Sequence, residues 1–282
     1  MASVSGRPEE AGSHSTAPTG AKTFDTPGDY NLIGLWTLYQ KEVRRFAKIP
    51  AQTVFAPIIT TLIFLVVFSL ALGGAGRTTA GMPFLEFVAP GLIMMAVVQN
   101  AFANTSSSLI IAKVQGTIVD LLMPPLGPGE LVLGIVAGGV TRGIVVGVAV
   151  GLGMLPFVPM ALPHPLAALA YLLLAATLLA LLGTLGGLWA EKFDQTSMLT
   201  NFVVTPLSFL SGTFYAVDQL PEPFHLIALA NPFFYMIDGL RFAFTGQAEG
   251  SIAFGFLFLL ALNIACGWLA HRIVSSGYRL KS

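Results

Sequence analysis

The sequence predicts an all-α, polytopic membrane protein with six transmembrane helices, an N-terminal amphipathic interfacial helix and short re-entrant helices before the last span. Apolar runs of helix length recur from Ala51 to Leu269, and about 20 apolar residues are enough to cross a hydrocarbon core. The composition is 55% hydrophobic and 10% charged, where soluble domains carry about 25% charged residues. Mean hydropathy is +0.78. A formal net charge of zero argues against a nucleic-acid partner, because such proteins carry a basic excess. The single cysteine, Cys266, lies inside the last apolar run and reads as a buried thiol with no disulfide partner.

Residues 1–29 mix Arg7, Glu9, Glu10, His14, Pro18 and Pro27 with no apolar core of a secretory signal, and read as a disordered cytoplasmic tail. Residues 30–282 form the transmembrane domain. From Asn31 to Ile49, apolar Leu32, Leu35, Trp36, Tyr39, Val43, Phe46 and Ile49 recur every three or four residues, opposite Gln40, Lys41, Arg44, Arg45 and Lys48. That pattern is an amphipathic helix. Its basic face and its place before the first span suggest a helix lying in the inner-leaflet interface. Six spans follow, at Ala51 to Leu72, Glu86 to Ile111, Leu131 to Leu155, Leu166 to Ala190, Ser197 to Tyr215 and Ile252 to His271.

Lysine and arginine near span ends set the orientation. With a cytoplasmic N-terminus, the inner set is Lys41, Arg44, Arg45, Lys48, Lys113, Lys192, Arg272, Arg279 and Lys281, against Arg77 and Arg241 outside. Both termini are therefore expected in the cytoplasm, in a multi-pass protein of the cell (inner) membrane.

Two loops stand out. The cytoplasmic stretch Lys113 to Glu130 reads as a short helical piece ended by prolines. Ile118, Val119, Leu121, Leu122 and Met123 make it too apolar for a free linker. The outer stretch Ala216 to Gly250 contains two apolar pieces broken at Asn231-Pro232, both too short to span, and reads as re-entrant or interfacial.

On these residues the chain resembles the six-span permease subunits of ABC-2 type ATP-binding cassette exporters. The resemblance covers about residues 31–282. Its strongest part is Leu-Ser-Gly212-Thr-Phe214-Tyr-Ala-Val-Asp-Gln-Leu-Pro221 followed by Ala-Asn231-Pro232-Phe-Phe-Tyr-Met-Ile-Asp238-Gly-Leu-Arg241. Lys41-Glu42-Val-Arg44-Arg45-Phe46, Ala89-Pro90-Gly91 and Gly116-Thr117-Ile-Val-Asp120-Leu121-Leu122-Met-Pro124-Pro125 support it. The chain is also similar to permeases of polysaccharide, nodulation-factor and drug export operons, which these motifs do not separate.

The resemblance implies that Gly116 to Pro125 is a coupling helix docking into a separate ATPase subunit, present in two copies, with the basic interfacial helix near that contact. The sequence holds no G-x-x-x-x-G-K-[ST] motif; the nearest cluster, Gly73-Gly74-Ala-Gly76-Arg77, lacks the lysine. The chain is therefore expected not to be an enzyme and to bind no cofactor, ATP and Mg residing on the partner. A second permease chain, expected to form a homodimer, and an unidentified exported substrate complete the assembly.

Arg142 is a candidate intramembrane charge. It lies near mid-bilayer if the third span starts at Leu131. Gly143 to Met160 alone gives about 27 Å of helix, which would leave Arg142 at the inner interface, and this placement costs less. Gly134, Gly138, Gly139 and Gly143, and Gly183 with Gly187, permit close helix contacts, read as packing within the chain before a dimer seam. His14, His164, His225 and His271 are scattered, Glu222-Pro-Phe-His225 is a single E-x-x-H, and no metal site is expected. The alternative is an ATP-independent secondary transporter or channel, yet the spans contain no acidic or histidine relay and no inverted repeat.

Overall fold

A computed structural model describes residues 31–72, 78–118 and 126–277. The predicted tail at 1–29, the glycine cluster 73–77, positions 119–125 of the cytoplasmic loop and the last five residues lie outside the described residues.

Helix α1 (Leu32–Ala47) starts at Asn31, whose side chain accepts the Gly34 N–H at 2.8 Å. The Asn31 backbone N–H is held by Glu130, which also accepts the Gly127 N–H. One carboxylate thus joins the start of α1 to the start of a later helix. A wide π-turn (Ala51–Phe55) then runs into α2 (Ala56–Leu72). A two-residue hairpin, β1 (Thr78–Thr79) and β2 (Met82–Pro83), turns the chain through Ala80 and Gly81, both at positive φ.

Helix α3 (Phe84–Val114) is the axis of the bundle, packed on α4 (Pro128–Met154) and α5 (Pro165–Trp189). Its most apolar stretch is 78% buried, against 11% for α2 and for the last helix, so α2 and the last helix are peripheral. They expose Ile59, Ile63 and Leu70, and Phe254, Leu257, Ile264 and Trp268 respectively. Helices apolar all round belong in lipid or against another apolar chain.

Five helices among the described residues are long and apolar enough to cross a bilayer. They are the predicted first to fourth spans and the sixth, whose bounds hold to within four residues. The predicted fifth span, Ser197 to Tyr215, differs: it is a composite of α6 (Phe193–Leu199), a π-turn (Thr200–Val204) and α7 (Thr205–Leu210). The run begins earlier because Gln195 accepts the Glu191 N–H at 2.7 Å and so caps it. It ends earlier because Gly212 has φ +75°, a left-handed conformation that halts a helix. Both π-turns end two residues before a proline, Pro57 and Pro206. A proline donates no backbone hydrogen bond and crowds the carbonyl four residues earlier, so the preceding turn widens.

The outer stretch folds as a single 3₁₀ turn (Val217–Gln219), α8 (Phe224–Ala230) and α9 (Pro232–Thr245), before α10 (Ile252–Ser275). The two predicted short apolar pieces are α8 and α9. Far from forming a surface layer, α9 buries Phe233 to Arg241 against α3, α5 and α10. Gly239 makes this approach possible, since a Cβ there would lie 2.2 Å from the Tyr171 ring.

The glycine pairs seat helices within the chain. A Cβ at Gly183 would meet Thr105 Oγ1 at 2.2 Å and the Phe102 carbonyl at 2.5 Å, while one at Gly138 would meet Glu42 Cβ at 2.4 Å. Overpacking of this kind displaces backbone. Gly183→Val is therefore expected to abolish the monodisperse, detergent-soluble protein. Gly151→Ala, whose new methyl meets its nearest neighbour at an ordinary 3.6 Å, should leave it intact or raise its melting temperature through about 0.5–1 kcal/mol. Equal behaviour of the two variants would remove the glycine seam as the packing determinant.

Candidate functional site

Polar side chains collect at the two ends of the bundle and in one cleft between them. At the α9 end, Arg241 is buried with 2% of its surface exposed. Its Nη1 donates to Glu249 Oε1 at 2.8 Å and lies 3.9 Å from Asp238 Oδ1, its Nη2 donates to the Gly212 carbonyl at 2.7 Å, and its Nε donates to the Phe87 carbonyl at 3.3 Å. The guanidinium also sits 3.7 Å from the centre of the Phe87 ring. Four separate segments thereby meet on one cation.

The two carboxylates are used as fully. Asp238 accepts the N–H groups of Glu249 and Gly250, and Glu249 accepts the Val217 N–H at 2.6 Å. Burial pushes the Glu249 carboxyl above its usual range, and the Arg241 charge pulls it back. Asn231 caps α9 by accepting the Phe233 N–H and donates from its amide to the Leu207 carbonyl, while Pro232 occupies the first helical position. Phe214 stacks on Phe68 of α2 with ring centres 3.9 Å apart. Of the predicted outer motif, Gly212, Asp238 and Arg241 converge, Asn231 and Pro232 start α9 ten and nine residues before Arg241, Phe214 turns to α2, and Pro221 stays exposed at the turn into α8. Arg241, counted by position as an outer loop charge, is a buried structural cation.

At the α1 end, the docking face of α1 is Leu38, Glu42 and Phe46, each four residues from the next and all buried. Phe46 belongs to the predicted apolar face, while Leu32 and Trp36 of that face are 68% and 58% exposed, as a face turned to lipid would be. Glu42, with 0% exposure, accepts the Ser108 hydroxyl at 2.6 Å and pairs with Arg45 at 3.0 Å. Arg45 also donates to the Asn104 carbonyl at 2.6 Å and to the Ser107 hydroxyl. Lys41 and Arg44 remain exposed on the opposite face. Glu42 and Arg45 clamp α1 onto α3, with Gly138 of α4 giving the room.

Of the predicted coupling loop, Gly116 ends α3 at φ +70° and Thr117 is exposed. Asp120, Leu121, Leu122, Pro124 and Pro125 lie outside the described residues. Ile118 is buried in a small cluster with Leu38, Leu109, Leu131, Ile135 and Leu188, where α1, α3, α4 and α5 meet.

Between α2 and α3 lies a cleft of about 270 Å³ whose polar lining is Gln52, Thr60, Thr61, Gln99 and Asn100. Asn100 accepts a hydrogen bond from Arg142 Nη2 at 3.1 Å. Asn100 lies about 24 Å along α3 from Phe84, at 1.5 Å per residue, in a hydrocarbon layer about 30 Å thick. No group of three or more His, Cys, Asp or Glu side chains that could hold a metal occurs among the described residues.

Sequence reasoning missed Glu249, Asn100, Asn104 and Ser108. For the last three a signal existed, since Asn100, Asn104, Ser107 and Ser108 fall on one face of α3. Glu249 had none beyond the need of Arg241 for a carboxylate.

The model of the family described as ABC-2 type transporter matches residues 34–245. The inner membrane transport permease YadH of Escherichia coli K12 is 35% identical over 89% of this chain and 98% of its own length. Nodulation protein J of Rhizobium leguminosarum bv. viciae is 27% identical over 80% of this chain and 86% of its own. The family match ends at Thr245, four residues short of Glu249, the carboxylate that closes the Arg241 network.

Removing one partner of a buried ion pair strands the other, at about 3–5 kcal/mol. Arg241→Met should lower the melting temperature sharply in detergent, and Arg241→Met with Glu249→Met should recover part of the loss. A double variant no better than the single would show that the pair is not the coupled unit.

Proposed function

Since the chain belongs to the ABC-2 type transporter family, we propose that it is the permease subunit of an exporter powered by a separate ATPase. Its place would be the inner membrane, with both termini in the cytoplasm. The observation that carries this reading is the match to a transport permease over nearly its whole length, in a chain whose sequence contains no Walker-type nucleotide site. The α1 end is then the cytoplasmic end, in keeping with Lys41, Arg44, Lys48 and Lys113 there and with the positive-inside rule.

In this reading, two ATPase subunits bind ATP and Mg and close on each other, and two copies of this chain line the path between them. The stretch Gly116 to Pro125 docks on the ATPase. A push on it reaches Ile118, and through Ile118 the joint between α1, α3, α4 and α5. Nucleotide shifts the equilibrium between two membrane-domain states only by binding them unequally, so a rigid joint at this point is what the mechanism requires. The Glu42 and Arg45 clamp makes α1 move with α3.

A tagged chain purified in mild detergent should bring down a Walker-type ATPase in stoichiometric amount, identified by mass spectrometry and ATP turnover. Leu121→Asp with Leu122→Asp should lose that ATPase while the permease still inserts and elutes as a single species. A wild-type chain that purifies alone under complex-preserving conditions would overturn the ATP-driven reading in favour of a secondary transporter.

A further inference from the structure

The network around Arg241 holds one more carboxylate than it holds cations. Asp238 and Glu249 are both out of water, with 3% and 8% of their side chains exposed, and among the described residues Arg241 is the one cation paired with either. Hydrogen bonds satisfy the two carboxylates unequally. Asp238 accepts two backbone N–H groups, from Glu249 and Gly250, whereas Glu249 accepts one, from Val217 on Oε2, beside Arg241 Nη1 on Oε1. The charges acting on Glu249 are Arg241 and Asp238 from α9 and Asp218 from the 3₁₀ turn. Asp218 in turn faces His225 of α8 at 3.7 Å. Neighbouring buried carboxylates cannot all ionise freely. A guanidinium cannot change its charge to help, so the balancing charge open to this cluster is a proton.

Glu249, with the fewer backbone donors, is the place for it. Burial above all, and then the Asp238 and Asp218 charges, raise its carboxyl above the usual range against the pull of Arg241 and the Val217 N–H. By linkage, a carboxyl that binds its proton more tightly when packed than when exposed makes the packed arrangement more stable as pH falls, and less stable as pH rises through that range. What is packed or released is the turn Val217–Gln219 with α8 behind it. The turn is held by the Val217 N–H on Glu249 and by the Val217 side chain, buried beside Gly212. Helix α8 itself exposes Phe224, Leu226 and Ile227.

We propose that Glu249 takes up a proton to balance Asp238, and that this proton locks the 3₁₀ turn and α8 onto α9. Acid on the α9 side then tightens this end of the protein, and alkali frees it. The inference rests on the exporter reading only for the compartment that supplies the proton, which is the outside.

The test is hydrogen exchange, read by mass spectrometry, of the full chain in detergent at about pH 8 and about pH 5.5, both above the ordinary carboxylate range near 4, with rates corrected for the intrinsic effect of pH. Protection of residues 213–230 should be severalfold higher at the acid value, while α3 stays unchanged. In Glu249→Gln, neutral at every pH, the same residues should show no response. A response of opposite sign, no response, or one that survives in folded Glu249→Gln overturns the proposal. So does its loss in His225→Ala, which would make the imidazole the sensor. If Glu249→Gln fails to fold, infrared difference spectra of the wild-type chain decide. A protonated carboxyl band should appear at the acid pH and shift on ¹³C labelling of glutamate; a band that is absent or insensitive to the label overturns the proposal. Exchange is read on the permease chain alone, so failed ATPase co-purification leaves it untouched and sinks only the exporter reading.

Discussion

A cation with no access to water governs one end of this protein. Arg241 could not be buried without its acceptors, and those come from the start of α3, the end of α7, the turn before α10 and α9 itself. The low dielectric that makes an unmet guanidinium costly makes a fully met one directional. The short helices α8 and α9 have little to hold them by length alone. They are fixed because Arg241, Asp238 and Asn231 take up polar groups that no neighbour in lipid could satisfy.

The same rule orders the opposite end with different residues. Glu42 is wholly buried because Arg45 and Ser108 satisfy it and Gly138 of α4 leaves a space for its stem. Between the two ends, α3 meets α4 and α5 through glycines: a Cβ at Gly183 would lie 2.5 Å from the Phe102 carbonyl and one at Gly143 3.0 Å from the Val97 carbonyl. Backbone-to-backbone approach replaces the hydrophobic driving force that a bilayer does not supply between helices. The result is a stiff three-helix centre with α2 and α10 laid against it.

Much of the fold was legible because length and apolarity alone define a span. Helix α5 was read as 166–190 and folds at Pro165–Trp189, and α10 starts at the residue expected. The composite α6–α7 run was not legible in the same way: its polar start, its widened turn and the positive φ of Gly212 are all local events inside an apolar stretch. At the sites, motif residues were found and their partners were not. Glu42 was quoted in a motif with no partner given although it faces inward onto Ser108 and Arg45, and Arg241 was assigned by position although it pairs with Glu249, eight residues on. Pairing across the fold leaves little trace in a single chain. The polar line on α3 is the exception, since Asn100, Asn104, Ser107 and Ser108 share one face of a membrane-length helix.

The widened turns before Pro57 and Pro206 have a mechanical consequence. They lie in α2 and in the α6–α7 run, which touch through Phe64 and Phe209. Each proline leaves its helix one backbone hydrogen bond short. Bending an intact helix in lipid breaks such a bond with no water to replace it; here the bond is already missing. These two neighbours are therefore the compliant members of an otherwise stiff bundle, able to change curvature while α3, α4 and α5 keep theirs.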